Sequence, residues 1–149
     1  MKKTLQFPIL IEAPRKVVWD TMLGPDTYKL WTAEFCEGSF FEGSWHQGEK
    51  IRFMSPSGDG LISEIAENRL HEYVSIRHLG MIVAGKEDTM SDAVKAWTPA
   101  YENYRFNQAP NGTELIVSID VTPEFEKYMQ DAFPKALQRL KGLCEKRPG

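Results

Sequence analysis

The sequence predicts an α+β fold in which a curved antiparallel sheet of about six to seven strands surrounds a long C-terminal helix. Three observations predict it. Over residues 122–146, Phe125, Met129, Ala132, Phe133, Ala136, Leu137, Leu140 and Cys144 recur at three- and four-residue steps, covering roughly half of one helix circumference. Over residues 38–121 the period falls to two, with turn signals between the alternating runs. A single long helix cannot cover a flat sheet of that size, whereas a sheet curled around it can. Helix and sheet seldom close at both ends, so a cavity between them is expected.

The elements follow in order. Residues 4–12 place Leu5, Phe7, Ile9 and Ile11 on one parity, and Pro8 suits an edge strand. Ala13-Pro14-Arg15 opens a short helix with Val17, Val18, Trp19, Met22 and Leu23 on its apolar side, and Gly24-Pro25 ends it. A second short helix over 26–31 finishes in Leu30-Trp31. Strands are expected at 38–42, 50–55, 60–67, 73–79, 101–108 and 113–121, with a hairpin at Asn111-Gly112. Residues 81–99 are long for a hairpin loop; Ser91 is placed to cap a short helix through Ala96, and the stretch reads as a surface excursion or as a lid carrying Trp97.

In the final helix Thr122 is the expected N-cap and Pro123 the first helical residue. Glu124 and Glu126 near the start, and Lys141, Lys146 and Arg147 near the end, complement the helix dipole. Pro134 cannot donate to the carbonyl of Gln130, so a kink or a break at Phe133-Pro134 is expected, with 123–133 free to tilt as a flap.

Composition narrows the function. The 149 residues suit a single domain, and 18 basic against 21 acidic side chains provide no positive face for nucleic acid. No apolar run is long enough to span a membrane. Residues 1–14 read as a strand rather than a signal segment, and Cys36 and Cys144 read as two reduced thiols of a cytoplasmic protein. His46, His71 and His78 lie in separate segments without metal-ligand spacing, so neither a metal nor a cofactor is expected. No GxSxG, GxGxxG or P-loop pattern is present.

What remains is the inward parity of the strands. Val74, Ile76 and His78 share one parity, and Glu102, Tyr104 and Phe106 another, each opposite a more polar set. Glu102 and His78 are therefore the candidate acid–base residues, and pairing of Glu102 with His78 or Arg52 is the simpler role. Trp31, Trp45, Phe53, Ile76, His78, Trp97, Glu102, Tyr104, Phe106, Met129 and Phe133 are the candidate ligand contacts.

The order of several motifs resembles the START-like, or SRPBCC, superfamily. These are Ala13-Pro14-Arg15-Lys16-Val17-Val18-Trp19, Tyr28 with Trp31, Ser44-Trp45 with Gly48, Gly60-Leu61-Ile62-Ser63-Glu64-Ile65, Asn111-Gly112-Thr113-Glu114-Leu115 and Pro134-Lys135-Ala136-Leu137. Within it the chain is most similar to bacterial proteins grouped with the activator of heat-shock protein 90 ATPase. The resemblance implies a helix-grip fold and three roles: a binding protein for a small apolar or aromatic ligand, a cyclase- or hydrolase-type enzyme using the same cavity, or a module that docks on a chaperone. An exposed first or last strand is a candidate for pairing across a homodimer.

Overall fold

A computed structural model describes residues 2–145. Strand β1 (Lys3–Ile11) turns Leu5, Phe7, Ile9 and Ile11 toward the core, as its alternation requires. It lies at one edge of the sheet, where Pro8 withholds no donor needed by a second neighbour. Helix α1 (Arg15–Leu23) buries Val18, Trp19, Met22 and Leu23. Gly24 ends α1 by donating to the Asp20 carbonyl, and Pro25 opens α2 (Pro25–Thr32). Trp31 is 1% exposed, and its indole N–H donates to the Met22 carbonyl at 3.0 Å. That bond ties the two short helices into one plug.

The remaining strands are β2 (Phe40–Gly43), β3 (Lys50–Met54), β4 (Gly60–Arg69), β5 (Tyr73–Val83), β6 (Lys86–Asp88), β7 (Ala100–Ala109) and β8 (Gly112–Val121). They form an open antiparallel sheet in the order β1-β8-β7-β5-β4-β3-β2, with β6 paired to β5 off this path. The β7–β8 hairpin turns at Pro110-Asn111, between the paired residues Ala109 and Gly112. A side chain at Gly112 would meet the Ile11 carbonyl at 2.1 Å, so only glycine lets the chain leaving β1 pass this close.

Part of the 81–99 stretch is regular structure. β5 continues beyond Leu79 to Val83 and folds back as β6, and Ser91 caps α3 (Asp92–Lys95) by accepting from the Val94 amide at 3.3 Å. The strand continues because of a bulge. Ile62 pairs with Gly80 and Ser63 with His78, so Leu79 has no partner and the parity of β5 reverses there. A Cβ at Gly80 would lie 2.1 Å from the Asp88 carbonyl, which is why β6 can fold down at that point.

Helix α4 (Pro123–Glu145) runs as one element through Pro134, so of the expected kink or break the break does not occur. Packing next to the proline offsets the missing amide: Phe133 stacks on Phe7 at 5.2 Å and meets Phe35 edge-on at 4.8 Å. Thr122 does not cap the helix with its side chain; its hydroxyl has no hydrogen-bond partner, while its carbonyl accepts from the Phe125 amide. Lys141 donates to the Leu10 carbonyl and to Glu145, so it ties the helix to β1 besides complementing the dipole. Lys146 and Arg147 lie outside the described residues.

Burial along α4 is uneven. Ala132, Phe133, Ala136, Leu137, Leu140 and Cys144 are buried, whereas Phe125 is 56% and Tyr128 45% exposed. The C-terminal two-thirds of the helix is gripped, and its first turns stand away from the sheet. Leu140→Ala should therefore cost about 2–5 kcal/mol in urea unfolding, because it empties a fully buried site. Gln138→Ala, on the exposed face, should stay within about 0.5 kcal/mol.

Candidate functional site

A cavity of about 200 Å³ opens where the first turns of α4 part from the sheet. Phe125, Met129 and Phe133 come from α4, Ile119 and Val121 from β8, and Leu61 and Met81 from β4 and β5. The bulge at Leu79 explains Met81: without the reversal of parity it would point to the other face. The segment between α3 and β7 delivers Trp97, and β7 begins with Ala100, both on the cavity wall. The wall is predominantly apolar.

Its polar corner is built by strand register. His78 pairs with Ser63 on one side and with Ala100 on the other, while Ile76 pairs with Glu102. His78 and Glu102 are thus diagonal neighbours on the inward face. Ser63 Oγ lies 2.6 Å from His78 Nδ1, His78 Nε2 lies 3.0 Å from Glu102 Oε1, and the Tyr104 hydroxyl donates to Glu102 Oε2. One assignment satisfies every atom: Ser63 donates to Nδ1, the Nε2 hydrogen goes to Glu102, and the ionised carboxylate accepts from both His78 and Tyr104. Arg52, the other partner expected for Glu102, pairs with Glu87 instead.

A serine, a histidine and a carboxylate in series suggest a hydrolytic triad, but the exposure argues otherwise. Ser63 is fully buried and is not on the cavity wall, so no bound molecule could reach its hydroxyl. The groups that face the cavity are His78 and Glu102. Burial, followed by the nearby Glu102 charge, pushes the Tyr104 phenol well above its usual range, and the same two causes raise Tyr28.

Of the residues expected to contact a ligand, His78, Trp97, Glu102, Met129 and Phe133 are on the cavity wall. Trp31, Ile76 and Phe106 are instead packed in the core at 1%, 0% and 1% exposure. Tyr104 reaches the cavity only through Glu102. Trp45 and Phe53 belong to an aromatic cluster with Phe41 and Tyr28, in which the Phe53 ring stands 5.9 Å from His78. Sequence parity missed Ser63, because strand alternation does not reveal which inward serine will meet a histidine. It missed Met81 because the bulge is invisible in the pattern. Among the described residues, no group of three or more His, Cys, Asp or Glu side chains could hold a metal ion, and no helix is long and apolar enough to cross a membrane.

An open antiparallel sheet gripping a C-terminal helix, with a cavity between them, defines the helix-grip class of START-like proteins. A family model described as activator of Hsp90 ATPase homolog 1-like protein matches residues 12–145, and the chain belongs to that family. Solved structures agree on the fold. A protein from Mesorhizobium loti, 14% identical, superposes with a TM-score of 0.75 over 99% of this chain and 100% of its own. The Aha1 dimer from Colwellia psychrerythraea, 17% identical, gives 0.71 over 99% of each chain. A protein from Nitrosomonas europaea, 11% identical, gives 0.71 over 96% of this chain and 94% of its own. No curated protein matches the chain.

The buried phenols predict an alkaline limit. Above about pH 10 the unfolded chain loses phenolic protons that folded Tyr28 and Tyr104 keep. The unfolded state then binds fewer protons, so stability is full below that pH and falls above it, by about 1.4 kcal/mol per pH unit for each tyrosine. Urea unfolding at increasing alkaline pH should show this slope, and Tyr104→Phe should reduce it.

Proposed function

We propose that this protein binds a small, largely apolar ligand in the cavity between α4 and the sheet. The observation that carries the reading is the wall itself: apolar side chains from helix, sheet and the segment before β7 converge on one polar corner, Glu102 with His78. The volume sets the scale. An apolar cavity of about 150 Å³ takes benzene, so about 200 Å³ suits one- or two-ring compounds better than sterols. The lid expected of the 81–99 stretch enters the proposal through Trp97, which closes part of the wall.

The same corner favours a second reading, acid–base chemistry on the bound molecule. Glu102 is held by two donors and faces the cavity, and His78 could pass a proton between Glu102 and Ser63. In that case Glu102→Gln would abolish turnover while leaving binding of the apolar body nearly intact.

Thermal-shift and native mass-spectrometry screens test the binding reading. One- and two-ring aromatic compounds should raise the melting temperature, with about 2.7 kcal/mol of stabilisation at a hundredfold excess over Kd. Ala100→Phe fills the cavity from β7 and should remain folded without any shift. A screen in which no compound stabilises the wild-type chain overturns the reading.

A further inference from the structure

The hydrogen bonds around the cavity define what its ligand must bring. We infer that the ligand carries a hydrogen-bond donor, a hydroxyl or amine on an apolar one- or two-ring body, and that this donor binds Glu102. The inference rests on the cavity-binding reading above and specifies its chemistry.

At the polar corner itself, beside Glu102, the donors are already engaged. His78 Nε2 is 3.0 Å from Glu102, and its Nδ1 is occupied by Ser63. Lys2, at the mouth, donates to the Pro99 carbonyl. Asp120 also accepts two hydrogen bonds, from the Thr4 hydroxyl at 2.7 Å and the Tyr101 amide at 3.0 Å, but it stands on the opposite parity of β8 to Ile119 and Val121, which line the cavity. The Tyr101 hydroxyl accepts from Arg77 at 3.4 Å and keeps its own hydrogen, away from the corner.

Acceptor capacity remains. A carboxylate offers about four lone-pair sites, and Glu102 receives hydrogen bonds from His78 and Tyr104 only. Its side chain keeps 21% exposure, and it faces the cavity. Thr122 Oγ1, buried without a partner, belongs to the same wall and is free to accept or donate. A ligand donor would therefore find a charged, partly satisfied acceptor in predominantly apolar surroundings, where such a bond is strong. A ligand carboxylate would meet Glu102 as a like charge in the same surroundings, with no unengaged cationic donor beside it. Lys2, which keeps two of its three N–H donors beyond its bond to Pro99, offers an anion only the mouth.

A shape-matched series tests this on the intact chain: 2-naphthol, 2-methylnaphthalene and 2-naphthoate, titrated at neutral pH with protein-detected NMR. The expected result is that 2-naphthol binds about tenfold tighter than either of the others, as a hydrogen bond to a charged acceptor allows. Shifts should centre on Glu102, Trp97 and Thr122. Glu102→Gln should bring 2-naphthol to within about threefold of the hydrocarbon, and Lys2→Ala should leave the order unchanged. Should Glu102→Gln fail to fold, Tyr104→Phe replaces it: this variant frees an acceptor site on Glu102 and should keep or raise 2-naphthol affinity. A loss of affinity there would overturn the inference. If 2-naphthoate binds as tightly as 2-naphthol, and Lys2→Ala abolishes that binding, an anionic group sits at the mouth and the inference fails. If the hydrocarbon binds as well as 2-naphthol, the donor inference fails while the cavity reading stands. If no probe binds, both fall.

Discussion

The structure depends on one packing constraint: a rigid helix held in a sheet that curves around only part of its length. From Ala132 to Cys144 the apolar stripe of α4 is closed by β1, β8 and the α1–α2 plug. Closure of this kind removes a large apolar area from water, the dominant favourable contribution to folding. Ahead of Ala132 the sheet no longer follows the helix, and Phe125 and Tyr128 remain largely exposed. The cavity is the consequence. It lies in the wedge between a helix that runs on and a sheet that turns away, with Phe133 at the point where the two part company.

That wedge would be a simple apolar gap were it not for the polar corner, and the corner depends on register. A shift of one residue between β5 and β7 would turn Glu102 outward and leave His78 Nε2 without its partner. The bulge at Leu79 fixes the other side of the arrangement. It allows His78 to meet Ser63 while Met81, three residues on, returns to the cavity wall. Bulges commonly re-aim side chains beside functional sites, and here one bulge serves both the polar chain and the apolar wall. The tyrosines complete the setting: Tyr104 donates to Glu102, and burial keeps both Tyr28 and Tyr104 protonated far into the alkaline range.

The family membership and the neighbouring structures agree on the fold, but at 11–17% identity they carry only the fold. Helix-grip domains host unrelated activities, so chemistry has to be argued from the site. At that site stands the hydrogen-bonded chain Ser63–His78–Glu102–Tyr104. Its order resembles a catalytic triad, yet its serine is sealed and its carboxylate faces the cavity, which favours recognition or proton transfer at Glu102 over nucleophilic attack.

The sequence alone determined the elements and their faces. The helical period placed Phe133, Ala136, Leu137 and Leu140 on the gripped side of α4, and alternation placed Val74, Ile76, His78, Glu102, Tyr104 and Phe106 inward, because these periods are set by backbone geometry. The tertiary structure decided which inward residues see open space. Trp31 and Phe106 are in the core, whereas Trp97 and Met129 reach the cavity, a difference of depth that no local pattern encodes. It also decided that Pro134 leaves α4 unbroken and that Thr122 makes no side-chain cap. Local propensity governs each of those positions in isolation, but here the packing of Phe133 against Phe7 and Phe35, and the position of Thr122 on the cavity wall, outweigh it.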